Sequence, residues 1–479
     1  MRSAHRVETV RTAERTLMAR LPAGALMQRA AAGLAAACAD ALPRVYGSRV
    51  TLLTGSGDNG ADTLYAGARL ARRGASVTAV LLAPDRTHPE ALKTLLRAGG
   101  TTATATDAAP LLQHADLVLD GIVGIGGKGG LRPEATHLAG LLAASPATVV
   151  AVDLPSGIEP DTGEVHGTAV RADLTITFGT HKPGLLIDPA RAYAGSVRLI
   201  DIGLAATLPH TPALESLQHA DIAALLPRPT GESDKYRRGV VGIAAGSTRY
   251  PGAAVLAVAG ALRGGAGAVR YVGAATDAVL ARFPETLISH TGPKKAGRVQ
   301  AWVAGPGAAD DPAPVAEALA TDVPVLLDAD GLRLADRDTV RTRKAPTLLT
   351  PHAGEAAALL GISREEVEAA RLTAVRELAR RYDATVLLKG STTLIAAPDP
   401  DTPVRVNATG TPWLATAGSG DVLSGLAGSL LAAGLSPLDA ASAAAYLHGL
   451  AGRYAADGAP TSAHDVAEAI PRAWRDITT

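Results

Sequence analysis

Short β-branched runs recur along the first 200 residues, at 50–54, 77–82, 117–120, 149–153, 174–178 and 197–202, with Gly-containing turns and Ala/Leu-rich stretches between them. A period near two that gives way to an Ala/Leu-rich stretch marks βαβ units, so these positions predict parallel strands alternating with helices. The residues before them, 1–32, read as an amphipathic helix. Their Arg/Ala richness resembles a transit peptide, but Glu8 and Glu14 interrupt it and no small-residue cleavage site follows an apolar run. The stretch 208–217 carries two prolines and reads as a joint, placing a domain boundary near residue 210. A second series then predicts strands at 240–245, 268–272, 300–304, 323–328, 347–350 and 386–389. The halves share a style but no repeated residues, so two different layered α/β domains are expected, 1–210 and 211–479, the first with a Rossmann-like parallel sheet.

Composition narrows the partners. The 46 Lys+Arg balance 46 Asp+Glu, which leaves no overall field to capture nucleic acid or an anionic membrane. Small molecules or another copy of the chain, as a homo-oligomer, are the expected partners. Aromatics are few (3 Trp, 9 Tyr, 2 Phe) and Gly is abundant at 51, so Ala, Val, Leu and Ile must build the core. The single cysteine, Cys38, allows no internal disulfide and no CxxC metal site, which fits a reducing, cytoplasmic address. The most apolar uncharged stretch, 422–435, is too short and too rich in Gly and Ser for a membrane span.

The first strand runs into Gly55-Ser56-Gly57-Asp58-Asn59-Gly60, formally a G-x-G-x-x-G turn, and Asp85 follows the next strand where a ribose-binding acid belongs. Asp58 and Asp62 argue against pyrophosphate, because two carboxylates would repel it from the turn. Such a loop suits a cation or hydroxyls. The third strand ends in Asp120 before the glycine loop 121–130, and the fourth ends in Asp153-Leu154-Pro155-Ser156-Gly157. Carboxyl ends of an open parallel sheet share a crevice, so Asn59, Asp120 and Ser156 can offer amide, carboxylate and hydroxyl oxygens to one hard cation. With a single carboxylate in the set, a monovalent ion fits better than Mg²⁺ or Ca²⁺. Any one of these acids alone reads more readily as a helix cap, while three on consecutive strand ends favour a shared site. Asp153 is the carboxylate best placed to take and return a proton.

These segments, with Thr177-Phe178-Gly179-Thr180-His181-Lys182-Pro183-Gly184, resemble the NAD(P)H-hydrate epimerase domain. That family's first turn is closer to GxGNNGGDG, so Asp58 stands for an Asn and Ala61 and Thr63 for glycines. The resemblance implies K⁺ held by Asn59, Asp120 and Ser156. It also implies hydrated nicotinamide nucleotide contacted by Asp58, Asn59, Gly60, Ala61 and Asp62, by Gly124, Ile125, Gly126, Gly127, Lys128, Gly129 and Gly130, and by Asp153.

In the second half, Ala417-Gly418-Ser419-Gly420-Asp421 precedes an expected helix at 422–431 whose small residues permit close packing under a ligand. Open N–H groups and the helix dipole favour an anion there. A carboxylate beside an anion is unfavourable unless it has a task, and accepting a hydroxyl proton is such a task for Asp421. Lys389-Gly390-Ser391-Thr392-Thr393 ends one strand and starts another, presenting an ammonium and hydroxyls suited to nucleotide phosphates. His352, in Thr350-Pro351-His352-Ala353-Gly354-Glu355, can donate to a substrate, and Glu355 can hold water around Mg²⁺.

The glycine loop with its Asp resembles the ribokinase-like superfamily. Added in order, Tyr236-Arg237-Arg238-Gly239, Tyr250-Pro251-Gly252-Ala253-Ala254, Gly305-Pro306-Gly307, Asp328-Ala329-Asp330-Gly331-Leu332 and 350–355 make the segment similar to the ADP-dependent NAD(P)H-hydrate dehydratase domain. The two resemblances cover nearly the whole chain and point to a two-domain NAD(P)H-hydrate repair family, with a ribokinase-like second domain. They imply NADHX or NADPHX at Ala253, Gly307, His352 and Asp421, and ADP with Mg²⁺ at Lys389, Gly390, Ser391, Thr392, Thr393 and Gly420. The expected reactions are epimerisation of the R and S hydrates and ADP-driven dehydration of the S epimer, releasing AMP and phosphate. Two other readings remain open: a vitamin or sugar kinase with an unrelated front domain, and a nucleotide-binding sensor without turnover.

Overall fold

The computed structural model describes all 479 residues. Contacts divide the chain into two compact units, Ser3–Ala213 and Leu214–Thr479, the latter with Met1–Arg2.

In the first unit seven strands form one parallel sheet: β1 (Arg49–Thr54), β2 (Ser76–Leu81), β3 (Thr101–Thr104), β4 (Leu117–Gly121), β5 (Thr148–Val152), β6 (Leu174–Phe178) and β7 (Ser196–Ile200). Their order is β3-β2-β1-β4-β5-β6-β7. The central strands are buried along nearly their whole length, as expected where helices cover both faces. The chain turns outward in opposite directions from β1 and β4, and that reversal opens a crevice at their carboxyl ends.

The amphipathic segment at the start is not one helix. A short strand, Arg2–Ala4, precedes α1 (Val7–Met18), and α2 (Ala25–Ala41) follows separately. Pro22 and Gly24 lie between the helices, and Gly24 at φ 77° adopts a left-handed conformation that ends helical continuity. Strand β3 was not anticipated: its threonines are β-branched, but the segment carries no large apolar residue to mark a buried face, and it pairs only at the sheet edge. After β1 the chain enters α3 (Asp58–Ala71), which begins inside the glycine turn itself.

The second unit contains β8 (Leu214–Ser216), β9 (Val240–Ala244), β10 (Ala268–Val272), β11 (Leu287–Ser289), β12 (Ala301–Ala304), β13 (Val325–Leu327), β14 (Thr347–Leu349), β15 (Thr385–Leu388), β16 (Thr393–Ala396) and β17 (Val404–Asn407). They run in the order β8-β17-β16-β15-β14-β13-β12-β9-β10-β11. The sheet is parallel except where β16 pairs antiparallel with both β15 and β17. The sequence pattern did not announce β8, β11 or β17, which are three or four residues long.

Two helices carry the second site: α4 (Pro251–Arg263) and α7 (Ser419–Ala432), with α5 (Ala353–Leu360) and α6 (Arg371–Tyr382) between them in the chain. The first two meet backbone to backbone. A Cβ on Gly425 would lie 1.9 Å from the Ala257 carbonyl oxygen, and one on Gly260 would lie 2.1 Å from that of Val422. Only glycine permits this approach, and it seats the amino end of α7 over the sheet. No helix is long and apolar enough to cross a membrane.

Candidate active sites

The crevice of the first unit is a cavity of about 800 Å³. Because β1, β4 and β5 are neighbours, the turn after β1, the glycine loop after β4 and the segment after β5 converge on it. Asp58, Asn59 and Asp62 line it, as do Gly124, Ile125, Gly126, Gly127, Lys128, Gly130 and Asp153. Gly60 and Ala61 are instead buried beneath the turn, where a Cβ on Gly60 would lie 2.1 Å from the Gly55 carbonyl oxygen.

Asp120 is fully buried at the end of β4. Its Oδ2 accepts from the Ser156 N–H at 2.7 Å, and its Oδ1 accepts from the Ser156 hydroxyl at 2.6 Å and the Ile122 N–H at 3.3 Å. It caps no helix, since the next one begins only at Pro133. Burial pushes its carboxyl up to about 6, against those hydrogen bonds. Ser156 Oγ also lies 3.2 Å from the Val123 carbonyl. Asn59 faces the same loop: a Cβ on Gly124 would lie 3.0 Å from its amide carbon, and the Asn59 Nδ2 is buried without a partner.

Asp153 follows β5 with φ 66°, a left-handed conformation uncommon for a non-glycine residue. Its Oδ1 accepts from the Thr177 hydroxyl at 3.0 Å and the Phe178 N–H at 3.3 Å, and it is ion-paired with Lys182. Lys182, only 1 % exposed, also donates to Thr177 Oγ1 at 3.0 Å. Sequence reasoning placed the 177–184 segment in the family motif but gave Lys182 no role. Glu14 and Arg11, from α1, also line the cavity and were not anticipated. Burial raises the Glu14 carboxyl, with Lys182 opposing and Asp153 and Asp58 adding to it.

In the second unit Lys389, Glu355, Gly420 and Asp421 come together near the amino end of α7. Gly418, at φ 87°, ends the preceding turn, and Asp421 lies in the first helical turn. Burial and then Asp328 push Asp421 up to about 7, with Lys389 pulling the other way. Lys389 Nζ lies 2.6 Å from Asp328 Oδ1 and 3.7 Å from Glu355 Oε2. Burial disfavours its charge, but the two acids outweigh burial and hold the ammonium above its ordinary range. Ser424 donates to Asp328 Oδ2 at 2.7 Å. A Cβ on Gly420 would be 3.5 Å from Lys389 Nζ, which puts the glycine loop over the ammonium.

His352 caps α5 from its Nδ1, which accepts from the Gly354 and Glu355 N–H groups at 3.0 and 3.2 Å. That leaves Nε2 as the donor of the exposed ring, and it lies 3.5 Å from Glu355 Oε1. Ala253 and Gly307 also meet, since a Cβ on Gly307 would be 2.8 Å from that of Ala253. The turn bearing Gly390, Ser391 and Thr392 is held from beneath by Arg371, whose Nη2 donates to the carbonyls of Lys389 at 3.1 Å and Thr392 at 3.0 Å. A Cβ on Gly390 would fall 2.2 Å from that guanidinium.

Arg371, Asp328 and His448 are site residues that local pattern did not reveal as such. His448 lies buried against the Ser419 backbone and near Lys389, and burial pushes it down to about 4. Its position on a helix rich in Ala and Gly reads from sequence as core.

The fold and these sites describe two α/β domains, a Rossmann-type crevice in one unit and a ribokinase-like fold in the other. Residues 23–184 match the family described as YjeF-related protein N-terminus, and residues 241–472 match NAD(P)H-hydrate dehydratase. A bifunctional NAD(P)H-hydrate repair enzyme of Mycobacterium tuberculosis is 50 % identical over 450 residues, 92 % of this chain and 91 % of that protein. The one from Mycobacterium leprae is 49 % identical over 96 % of both chains. A Bacillus subtilis ADP/ATP-dependent NAD(P)H-hydrate dehydratase, crystallised with ATP and Mg²⁺, superposes with a TM-score of 0.50 at 30 % identity, covering 54 % of this chain and 97 % of its own. The chain belongs to the family of bifunctional NAD(P)H-hydrate repair enzymes.

Proposed function

We propose that the first unit interconverts the R and S epimers of hydrated NADH or NADPH, and that the second dehydrates the S epimer using ADP. The observation that carries this reading is Asp421 in the first turn of α7, beside the glycine loop and the buried Lys389.

Hydroxide is a poor leaving group, so dehydration requires the ring hydroxyl to be activated. Asp421 takes the hydroxyl proton as the oxygen bonds the terminal phosphorus of ADP and AMP departs. The ring nitrogen's lone pair then expels phosphate, and loss of a proton from the adjacent carbon restores the dihydronicotinamide. The amino end of α7 at 418–420 and the Lys389 ammonium stabilise charge on the transferring group. His352 Nε2, Ala253 and Gly307 position the hydrated ring. Arg371 holds the turn that receives the nucleotide. Glu355, a partly exposed carboxylate beside Lys389, suits the water shell of Mg²⁺, which when bound neutralises phosphate charge.

In the first unit the donor set suits K⁺. One buried carboxylate, the Ser156 hydroxyl and the Val123 carbonyl lie together, and the Asn59 side chain, whose amide oxygen could join them, faces the same loop at Gly124. A bound K⁺ would offset the charge of Asp120, and Asp153 exchanges protons with the substrate hydroxyl. The test is to incubate the protein with hydrated NADH and either ADP or ATP while following NADH absorbance and free phosphate. Recovery of NADH with stoichiometric phosphate is expected; a stable phosphorylated product would instead mark a kinase.

A further inference from the structure

The cavity of the first unit contains a carboxyl group that the chemistry above leaves unused. Asp62 lies one turn into α3 and lines the cavity, yet its Oδ1 is buried with no hydrogen-bond partner. The charged groups acting on it are all acids: Asp153, Asp58 and Glu14. Burial above all, with those three adding, holds its carboxyl well above the usual range. A half-buried carboxyl whose inner oxygen has no donor favours the neutral acid.

Asp153 is its opposite in the same cavity. It receives two hydrogen bonds and pairs with a buried ammonium. Two carboxyl groups held in such different surroundings can share the two proton-transfer roles of one reaction. They also stand on different walls. Asp62 stands on α3, which follows β1, and Asp153 follows β5, with β4 between these strands.

We propose that Asp62 is the second acid–base residue of epimerisation, serving the ring face opposite to that served by Asp153. This rests on the epimerase reading of the cavity. In one direction Asp62 gives its proton to the ring hydroxyl. The carbon–oxygen bond breaks, water leaves, and the ring nitrogen's lone pair forms an iminium. A water on the other face then bonds the same carbon while its proton passes to Asp153. The return direction uses the reversed protonation, and no electron is gained or lost.

The test uses the full chain with D62N, D62E and D153N. For D62N, the kcat of epimerisation should fall about 10²- to 10⁴-fold with KM little changed, and the decline of wild-type kcat at high pH should disappear. Dehydration of the S epimer should be unaffected, which also reports that the variant is folded. D62E should recover part of the rate, and it carries the same test should D62N fail to fold. In ¹⁸O-labelled water the wild type should incorporate one label per inversion. Epimerisation by D62N within about threefold of wild type, or inversion without label, would overturn the proposal. A wild type that does not interconvert the epimers would overturn the epimerase reading itself.

Discussion

Lys389 Nζ sits 2.6 Å from Asp328 Oδ1, and the other oxygen of that carboxylate is held by Ser424 at 2.7 Å. The pair governs Asp421: Asp328 is the largest charged influence raising its carboxyl, and Lys389 opposes it. A general base must be deprotonated, so dehydration should rise with pH through about 7. D328N removes a negative charge and frees the ammonium toward Asp421. Both changes favour the carboxylate, so the rising limb of kcat should move to lower pH. A profile that stays in place would remove Asp328 from control of the base.

Asp421→Asn should leave ADP binding intact and lower dehydration by about two to four orders of magnitude. Epimerisation, carried by other residues, should persist. Single-turnover release of phosphate measures the first effect and chromatography of the two epimers the second. Near-normal phosphate release would show that another group takes the proton.

Potassium should activate epimerisation through Asp120. Burial pushes the Asp120 carboxyl up to about 6, and protonation removes the only formal charge among the proposed ion ligands. Apparent K⁺ affinity should therefore weaken as pH falls through that value, and Asp120→Ala should abolish the potassium dependence while leaving dehydration intact. Titrating epimerase activity with KCl at several pH values checks both. A potassium response in the alanine variant equal to that of wild type would dismiss the assignment.

Gly390→Ala places a methyl 2.2 Å from the Arg371 guanidinium. Overpacking of this kind costs about 1–3 kcal/mol, and the strain falls on the turn that receives the nucleotide. KM for ADP should rise more than kcat falls, with a lowered melting temperature. An unchanged KM for ADP would mean that the turn does not contact the nucleotide.

Much of this protein was legible from its local chain. Strand ends carry their chemistry within a few residues, as in Gly57-Asp58-Asn59, Asp153-Leu154-Pro155-Ser156 and Gly418-Ser419-Gly420-Asp421, because a turn after a parallel strand needs small residues and the crevice lies at that end of the sheet. Two layered domains and the residues worth examining therefore followed from periodicity and punctuation. The tertiary structure decided what those residues touch. Lys182 finds Asp153 across 29 positions, Lys389 finds Asp328 across 61, and Ser424 finds it across 96. Arg371 reads as one more charge on an amphipathic helix until β15 and β16 fold over it. Sequence also could not tell the unpartnered Asp62 from the ion-paired Asp153. Strand order sets these contacts, and it is fixed by burying both faces of each sheet at once, a property of the whole chain.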